Sequence, residues 1–476
     1  MALSFEQEPI SDSTTSPVIT NWTPIVPYVL YRNVSIASLF YYKLVLEIRL
    51  TDSSGTLLGK IKQRRNGFSD DIAANKARAI FDLKDIVNSQ LEDTNADQNA
   101  TTKTIHKVGT NSATTPFSQN NNQFLTIYVK GYENYSSAAN ISPSDVLDDA
   151  INDTKFYIAA SLDLNIARGT ADFQDTAFSS YSLSGSAALF LSDIQDSSAD
   201  NIGTVKRNYI QSTDYHTIGM LNGVSDLASD AYYIGIQYYD SSNNVINSPG
   251  GTAIEYIANT NANGGANPDT EVNTNPERLI YFGCGPANLE SQSRNTEARP
   301  SEFDNWAYYT IRAYDSNATT TKSALYYFIN QDGSCKGFKV RRLAWRNSLG
   351  CFDYFNFKKK STQTINVTRN NYNTLLGNFS SDMYSYNNFS RGKNTRNTTA
   401  IVREVINTDW ITEQDAVLLE GLIMSTNIQI VENSDTTYTV PVLVTDTSFI
   451  KKTVANDKMI KYTINIEYAN PINTNS

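Results

Sequence analysis

Alternating apolar and polar positions run through most of this chain and point to strands. Tyr42, Leu44, Leu46, Ile48 and Leu50 alternate with Lys43, Val45, Glu47 and Arg49. Asp52-Ser53-Ser54-Gly55 then supplies turn residues, and Leu57 to Lys62 completes a hairpin. Near the other end, Tyr462, Ile464, Ile466 and Tyr468 alternate with Thr463, Asn465 and Glu467. Strands are also predicted at Trp22 to Tyr31, where Pro24 and Pro27 suit a sheet edge, and at Phe124 to Tyr132, Phe156 to Leu164, Ala187 to Leu191 and Ala231 to Tyr239. Leu279 to Phe282 reads as a strand closed by a tight turn at Gly283-Cys284-Gly285-Pro286, and Trp306 to Tyr314 pairs with Lys322 to Ile329. Ile428 to Val431 and Tyr438 to Val444 complete the set.

Helical spacing is confined to two places. Leu83, Ile86, Val87 and Leu91 share a face behind Asp82 and Asp85, while Ala416, Leu419, Leu422 and Ile423 follow the capping box Thr412-Glu413-Gln414-Asp415. The second predicts a helix from about Glu413 to Met424. The polar stretches between these elements read as connections: an N-terminal arm over residues 1–20, a long mobile loop from Glu92 to Asn122, and an insertion from Ser248 to Pro276. Ser361 to Arg396 is polar with aromatic punctuation and few strand-like residues, such as Ile365 and Val367.

The densest stretch is Cys335 to Lys360, a predicted hairpin with arms Val340 to Trp345 and Cys351 to Phe357 and a reversal at Asn347 to Gly350. Aromatic residues fall on both faces of its second arm, which calls for cover on both sides. Trp345, Gly350, Phe352, Tyr354, Phe355 and Phe357, with Trp410 downstream, are therefore the expected structural core. From Lys336 to Lys360 there are eight basic residues against one acid, Asp353; subtracting that +7 from the chain's −10 leaves −17 on the remainder. Arg341, Arg342, Arg346, Lys358, Lys359 and Lys360 are accordingly candidates for an interface with acidic loops of a neighbouring copy or chain. The plainer alternative is that lysines at strand ends keep the sheet soluble.

At 476 residues the chain exceeds one hydrophobic core. Boundaries are expected near residues 20, 150 and 330: a β-rich domain over 21–150, central β structure over 151–330, and a C-terminal β domain with one helix over 331–476. With 29 Tyr, 20 Phe and only 18% charged residues, the composition favours strands and polar loops. The fold class is mainly β, in several sandwich or jelly-roll-like modules with one or two short helices. No run approaches 18 apolar residues, and Met1 to Glu8 lacks a basic and then apolar leader, so a soluble protein without a secretory signal is expected. Of the three cysteines, Cys284, Cys335 and Cys351, the last two face each other across the hairpin, where buried thiols or one bridge are open. Tyr41-Tyr42, Tyr232-Tyr233 and Tyr308-Tyr309 each lead a strand ending in an Asp/Ser turn, which reads as a duplicated module or as recurrence by composition.

Chemistry is sparse. The only histidines are His106, in a polar loop, and His216; zinc-type ligand spacing, a nucleophile motif and a phosphate-binding glycine loop are all missing. Acid pairs such as Asp148-Asp149 belong to polar loops. No catalytic residue, metal or cofactor is expected. A net charge of −10 argues against specific nucleic-acid binding, although Trp345, Tyr354 and Phe355 with their flanking arginines resemble a stacking platform.

Trp345-Arg346-Asn347-Ser348-Leu349-Gly350 followed by Asp353-Tyr354-Phe355-Asn356-Phe357, then Trp410-Ile411-Thr412-Glu413, then Pro441-Val442-Leu443-Val444-Thr445-Asp446-Thr447-Ser448, resembles virion structural proteins of tailed bacteriophages. The likeness covers about the last 140 residues and, more faintly, the N-terminal hairpin with Phe81-Asp82-Leu83. It implies a tail, neck or baseplate component assembled in the host cytoplasm, with other copies of itself and neighbouring tail proteins as partners and no catalytic residue carried over. The rival is a receptor- or polysaccharide-binding tail protein, with or without depolymerase activity, whose tyrosines would stack on host surface glycans. A parallel β-helix depolymerase would show regular coil repeats, which are missing here.

Overall fold

A computed structural model of the chain describes residues 3–9, 18–20, 27–66, 69–91, 105–107, 117–119, 124–160, 181, 183, 185–194, 196–199, 203–221, 231–259, 279–291, 296–332, 337–431, 439–446, 450 and 460–475. The protein is mainly β, built from several largely antiparallel sheets. It divides into two compact units, Met1–Asn330 with Asn347–Asp353, and Gln331–Arg346 with Tyr354–Ser476. The expected boundaries near residues 20 and 150 thus fall inside the first unit.

The first unit holds two cores, each shared by two sheets. In one, Leu3–Gln7, Tyr28–Arg32 and Ala77–Phe81 form a three-stranded sheet. A five-stranded sheet runs in the order Val18–Thr20, Ser144–Ile158, Phe124–Ser136, Phe40–Leu50 and Leu57–Gln63. Leu30, Ala79 and Phe81 from the first sheet and Leu44, Leu46, Ile48 and Val129 from the second meet in one buried cluster, the inward half of each two-residue alternation. Leu3–Gln7 is therefore a paired strand, with Leu3 opposite Arg32, within the stretch read as an arm. Tyr28–Arg32 has a partner on each side, so it is a central strand and not the edge its prolines suggested. Pro27 precedes the first ladder residue, where a missing N–H costs nothing.

The second core lies between a seven-stranded sheet, with central strands Tyr326–Asn330, Tyr308–Tyr314 and Tyr233–Tyr239, and a three-stranded sheet of Thr217–Leu221, Leu279–Gly283 and Phe117–Gln119. Ile234, Ile236, Tyr309, Ile311 and Phe328 pack there with Ile218, Met220, Ile280 and Phe282. Ala187 to Leu191 is not a strand. It is an irregular run with Ala188, Phe190 and Leu191 buried, whose backbone is satisfied singly: the Leu191 N–H donates to the Gly219 carbonyl at 2.9 Å, and the Ala188 carbonyl accepts from the Ala324 N–H at 2.6 Å. Most of the expected loop from Glu92 to Asn122 lies outside the described residues, yet Ile105–Lys107 within it is a buried helical turn and Phe117–Gln119 a strand. Asp148 and Asp149 sit on the Ser144–Ile158 strand and not in a loop.

In the second unit one sheet runs in the order Phe352–Phe357, Arg341–Arg346, Ile428–Ile430, Val440–Val444, Thr463–Tyr468, Lys393–Asn407 and Thr362–Asn373, with Ile472–Asn475 also paired to Lys393–Asn407. The helix Glu413–Met424 packs its buried Leu419 and Leu422 inward. Its start is fixed as the sequence signals: Thr412 Oγ1 accepts from the Asp415 N–H at 3.2 Å, and Asp415 Oδ2 accepts from the Thr412 N–H at 3.2 Å. Among the described residues no helix is long and apolar enough to cross a membrane.

Candidate assembly surface

The basic hairpin turns its charge inward. Trp345 is fully buried and Phe352, Tyr354, Phe355 and Phe357 are all buried, but so are Arg342, Arg346 and Lys358. Arg342 donates to Asn356 Oδ1 at 2.9 Å and lies 5.0 Å from the centre of the Tyr354 ring. Arg341 is paired with the buried Glu404 at 2.7 Å and Lys359 with Asp409 at 3.0 Å, leaving Lys360 as the exposed member of the six candidates. Arg342, Arg346 and Lys358 are thus buried where an exposed interface was expected. Strand alternation that buries aromatics on both faces also carries interleaved cations inside, where Arg341 and Lys359 meet carboxylates and Arg342 a ring of the same unit. Trp410 is corrected too: it is 56% exposed, with the Lys461 ammonium 4.1 Å from its ring centre.

The reversal of the hairpin, Asn347–Asp353, belongs to the first unit. Gly350 has φ +86°, and the Asn347 side chain closes the turn by accepting from the N–H groups of Leu349 and Cys351 at 3.1 and 2.9 Å. Asp353 is buried and accepts from Ser192 Oγ at 2.5 Å, the Asp193 N–H at 2.9 Å and Asn347 Nδ2 at 3.0 Å, while Asp193 accepts from the Ser348 hydroxyl and N–H at 2.7 and 3.0 Å. Burial, and then the nearby Asp193 charge, push the Asp353 carboxyl from 3.8 to about 7, against the three donors. Between those values the folded protein holds a proton that the unfolded chain has released, so stability is greatest on the acid side and declines as pH rises through the window. Thermal melts should show wild type losing ground to Asp353→Asn between pH 4 and pH 7; parallel melting curves for the two would refute this titration.

Both histidines are buried beside aromatic rings. His106, expected in a polar loop, is buried edge-on to Phe352 at 4.8 Å, and His216 is buried edge-on to Phe328 at 5.2 Å. Among the described residues no group of His, Cys, Asp and Glu could hold a metal ion. Cys284 and Cys351 are buried thiols, and Cys335 lies outside the described residues.

What the sequence concealed is a long ribbon. Thr362–Asn373, inside the stretch read as polar and scarcely strand-like, pairs antiparallel with Lys393–Asn407 along its whole length, from Thr362 opposite Val405 to Asn373 opposite Lys393. Every residue of Thr362–Asn373 is exposed. Its Thr, Ile, Val and Tyr residues favour extended backbone, so the hydrogen-bonded ladder is formed without a buried face. Thr395 Oγ1 donates to Asn371 Oδ1 at 2.9 Å and Asn394 Nδ2 to Thr374 Oγ1 at 3.0 Å, which ties the far end. The other side of Lys393–Asn407 is taken by Thr463–Tyr468 and Ile472–Asn475, so among the described residues Thr362–Asn373 is an open edge of the sheet. Beyond it the small hairpin Asn378–Ser380 with Met383–Ser385 forms a tip. Leu375 is 80% exposed and Phe389 87%, and Phe379, Met383 and Tyr386 are also exposed. Large exposed apolar side chains are thus concentrated over residues 375–389.

Compared with known proteins, the chain matches no protein-family model and no curated protein sequence.

A second surface has its own chemistry. The Tyr233–Tyr239 strand lies beside Tyr308–Tyr314, with Tyr233 opposite Tyr314 and Tyr239 opposite Tyr308, so two of the three tyrosine-led strands are direct neighbours. The rings of Tyr239 and Tyr308 stack at 4.6 Å and 9°, and Tyr256 and Tyr327 extend the row at 5.2 and 5.7 Å from Tyr314 and Tyr308. Gly235 lies within this row, where a Cβ would come 2.5 Å from the Tyr314 ring. Burial, followed by the neighbouring tyrosines, lifts the Tyr308 hydroxyl to about 12.

Proposed function

We propose that this chain is a non-enzymatic structural component of a tailed bacteriophage virion: a tail, neck or baseplate protein, assembled in the host cytoplasm, that multimerises into a ring or tube with copies of itself and neighbouring tail proteins. The observation that carries the reading is the ribbon 362–407 with its exposed apolar tip. Ile472–Asn475 and Thr463–Tyr468 back the ribbon over Asn397–Ala400 and Arg403–Asn407, but its far end, Asn371–Asn373 with Lys393–Thr395, is two-stranded among the described residues, and such a stretch is marginal in water and favours a partner laid against it. The likeness of the 340–357 and 410–470 stretches to tail proteins supports the same reading, as does a mainly β fold whose polar reversal is locked by side-chain hydrogen bonds. Antibodies raised against the purified chain should label the tail of intact particles in electron micrographs. Purified particles that contain none of the chain would defeat the proposal.

The tyrosine row favours a second reading, a receptor- or polysaccharide-binding tail protein, because Tyr239, Tyr256, Tyr314 and Tyr327 are half-buried and leave part of their phenol rings open to a sugar. Binding of host surface glycan by the isolated chain supports this alternative. Release of reducing sugar at catalytic concentrations would add depolymerase activity and refute the non-enzymatic reading.

A further inference from the structure

We infer that the partner of the ribbon is a second copy of this chain, and that the ribbon's open edge, Thr362–Asn373, docks beside the acidic edge of that copy's Ser144–Ile158 strand. The inference deepens the assembly reading and rests on it. Three features of the molecule agree. First, the ribbon edge has few of the devices by which soluble proteins blunt an open edge: it carries no proline or lysine and one bulge, between Asn370 and Asn371, with exposed Ile365 and Val367 along it. Second, the receiving strand has an open edge of its own. Phe124–Ser136 occupies one side, and on the other Val18–Thr20 reaches only Phe156–Ile158 among the described residues. Leu147, Asp148 and Asp149 are exposed on it, in a bulge between Val146 and Ile151 where the ladder to Phe124–Ser136 is interrupted. Third, the charges are complementary. Residues 361–402 carry Arg369, Arg391, Lys393 and Arg396 against Asp382, a net +3 that leaves −13 on the rest of the chain, while Ser144–Ile158 carries Asp145, Asp148, Asp149 and Asp153 against Lys155, a net −3. Strand addition supplies backbone hydrogen bonds, and opposite potentials select partner and register. Because the two surfaces differ, the contact is head-to-tail and propagates into a ring or an open filament, the geometry a ring- or tube-forming component needs.

The test is sedimentation of the full chain at low salt, with the exposed charges reversed on one side at a time. Wild type should self-associate and lose association as salt rises. Arg369→Glu with Lys393→Glu, and separately Asp148→Lys with Asp149→Lys, should each weaken it about tenfold or more. Carrying all four substitutions in one chain should restore association, a recovery that a misfolded variant could not show. Wild-type association that ignores both reversals overturns this inference and leaves the assembly reading standing. A wild-type chain that stays monomeric in isolation, while antibodies still place it on the particle, overturns the self-docking and again spares the broader reading.

Discussion

Replacing Trp345 by alanine is expected to destabilise the second unit by ~3–5 kcal/mol, the cost of emptying a fully buried indole site. The residue sits on the Arg341–Arg346 strand opposite Ile428, in a sheet whose neighbouring Leu343 and Ile430 are buried as well. Little local collapse is open to such a site, because the backbone on both sides is held in the ladder. Trp345→Phe should cost much less. It keeps an aromatic ring in place and deletes an indole N–H that finds no hydrogen-bond acceptor among the described residues. Circular dichroism melts of the two variants check the pair: an unchanged midpoint for alanine would remove Trp345 from the core, and equal losses would show that ring packing is not what matters.

Gly350 is expected to tolerate no side chain. A Cβ there would lie 2.2 Å from the Ala159 carbonyl oxygen, and φ of +86° is strained for any L residue. Backbone strain alone costs ~1–2 kcal/mol; the clash with a backbone oxygen adds to it, so Gly350→Ala should lose about 3 kcal/mol or more. Asparagine separates the two causes, since it accepts positive φ more readily than alanine but carries the same Cβ. Gly350→Asn matching the alanine loss in a denaturant titration assigns the effect to the close approach of 159 and 350. Full recovery with asparagine would assign it to backbone strain instead.

The strands with a buried face were legible without coordinates. Phe40–Leu50 with Leu57–Gln63, and Thr463–Tyr468, appear where two-residue alternation places them; Thr463–Tyr468 buries every second side chain at its start, whereas Phe40–Leu50 is covered on both faces from Leu44 to Ile48. The Glu413–Met424 helix begins where its capping box says, since capping is a contact between residues three apart. The ribbon was illegible for the complementary reason. Thr362–Asn373 buries neither face, so no periodicity marks it, and its strand character comes from a ladder to residues about thirty positions away.

Charge followed the same division. Counting located an excess of basic residues between 336 and 360, but their direction depended on which faces were covered, and Arg342, Arg346 and Lys358 are buried among the aromatics they alternate with. Sequence by itself determined the class of fold, the paired hairpins with a buried face, the capped helix and the aromatic hairpin, all properties of spacing within a few residues. Tertiary structure alone decided which residues are exposed. A Tyr row across two strands, an acid pair at 193 and 353, and an open edge beside an exposed tip are each made by residues far apart in the chain, whose positions are settled by sheet order and register rather than by local preference.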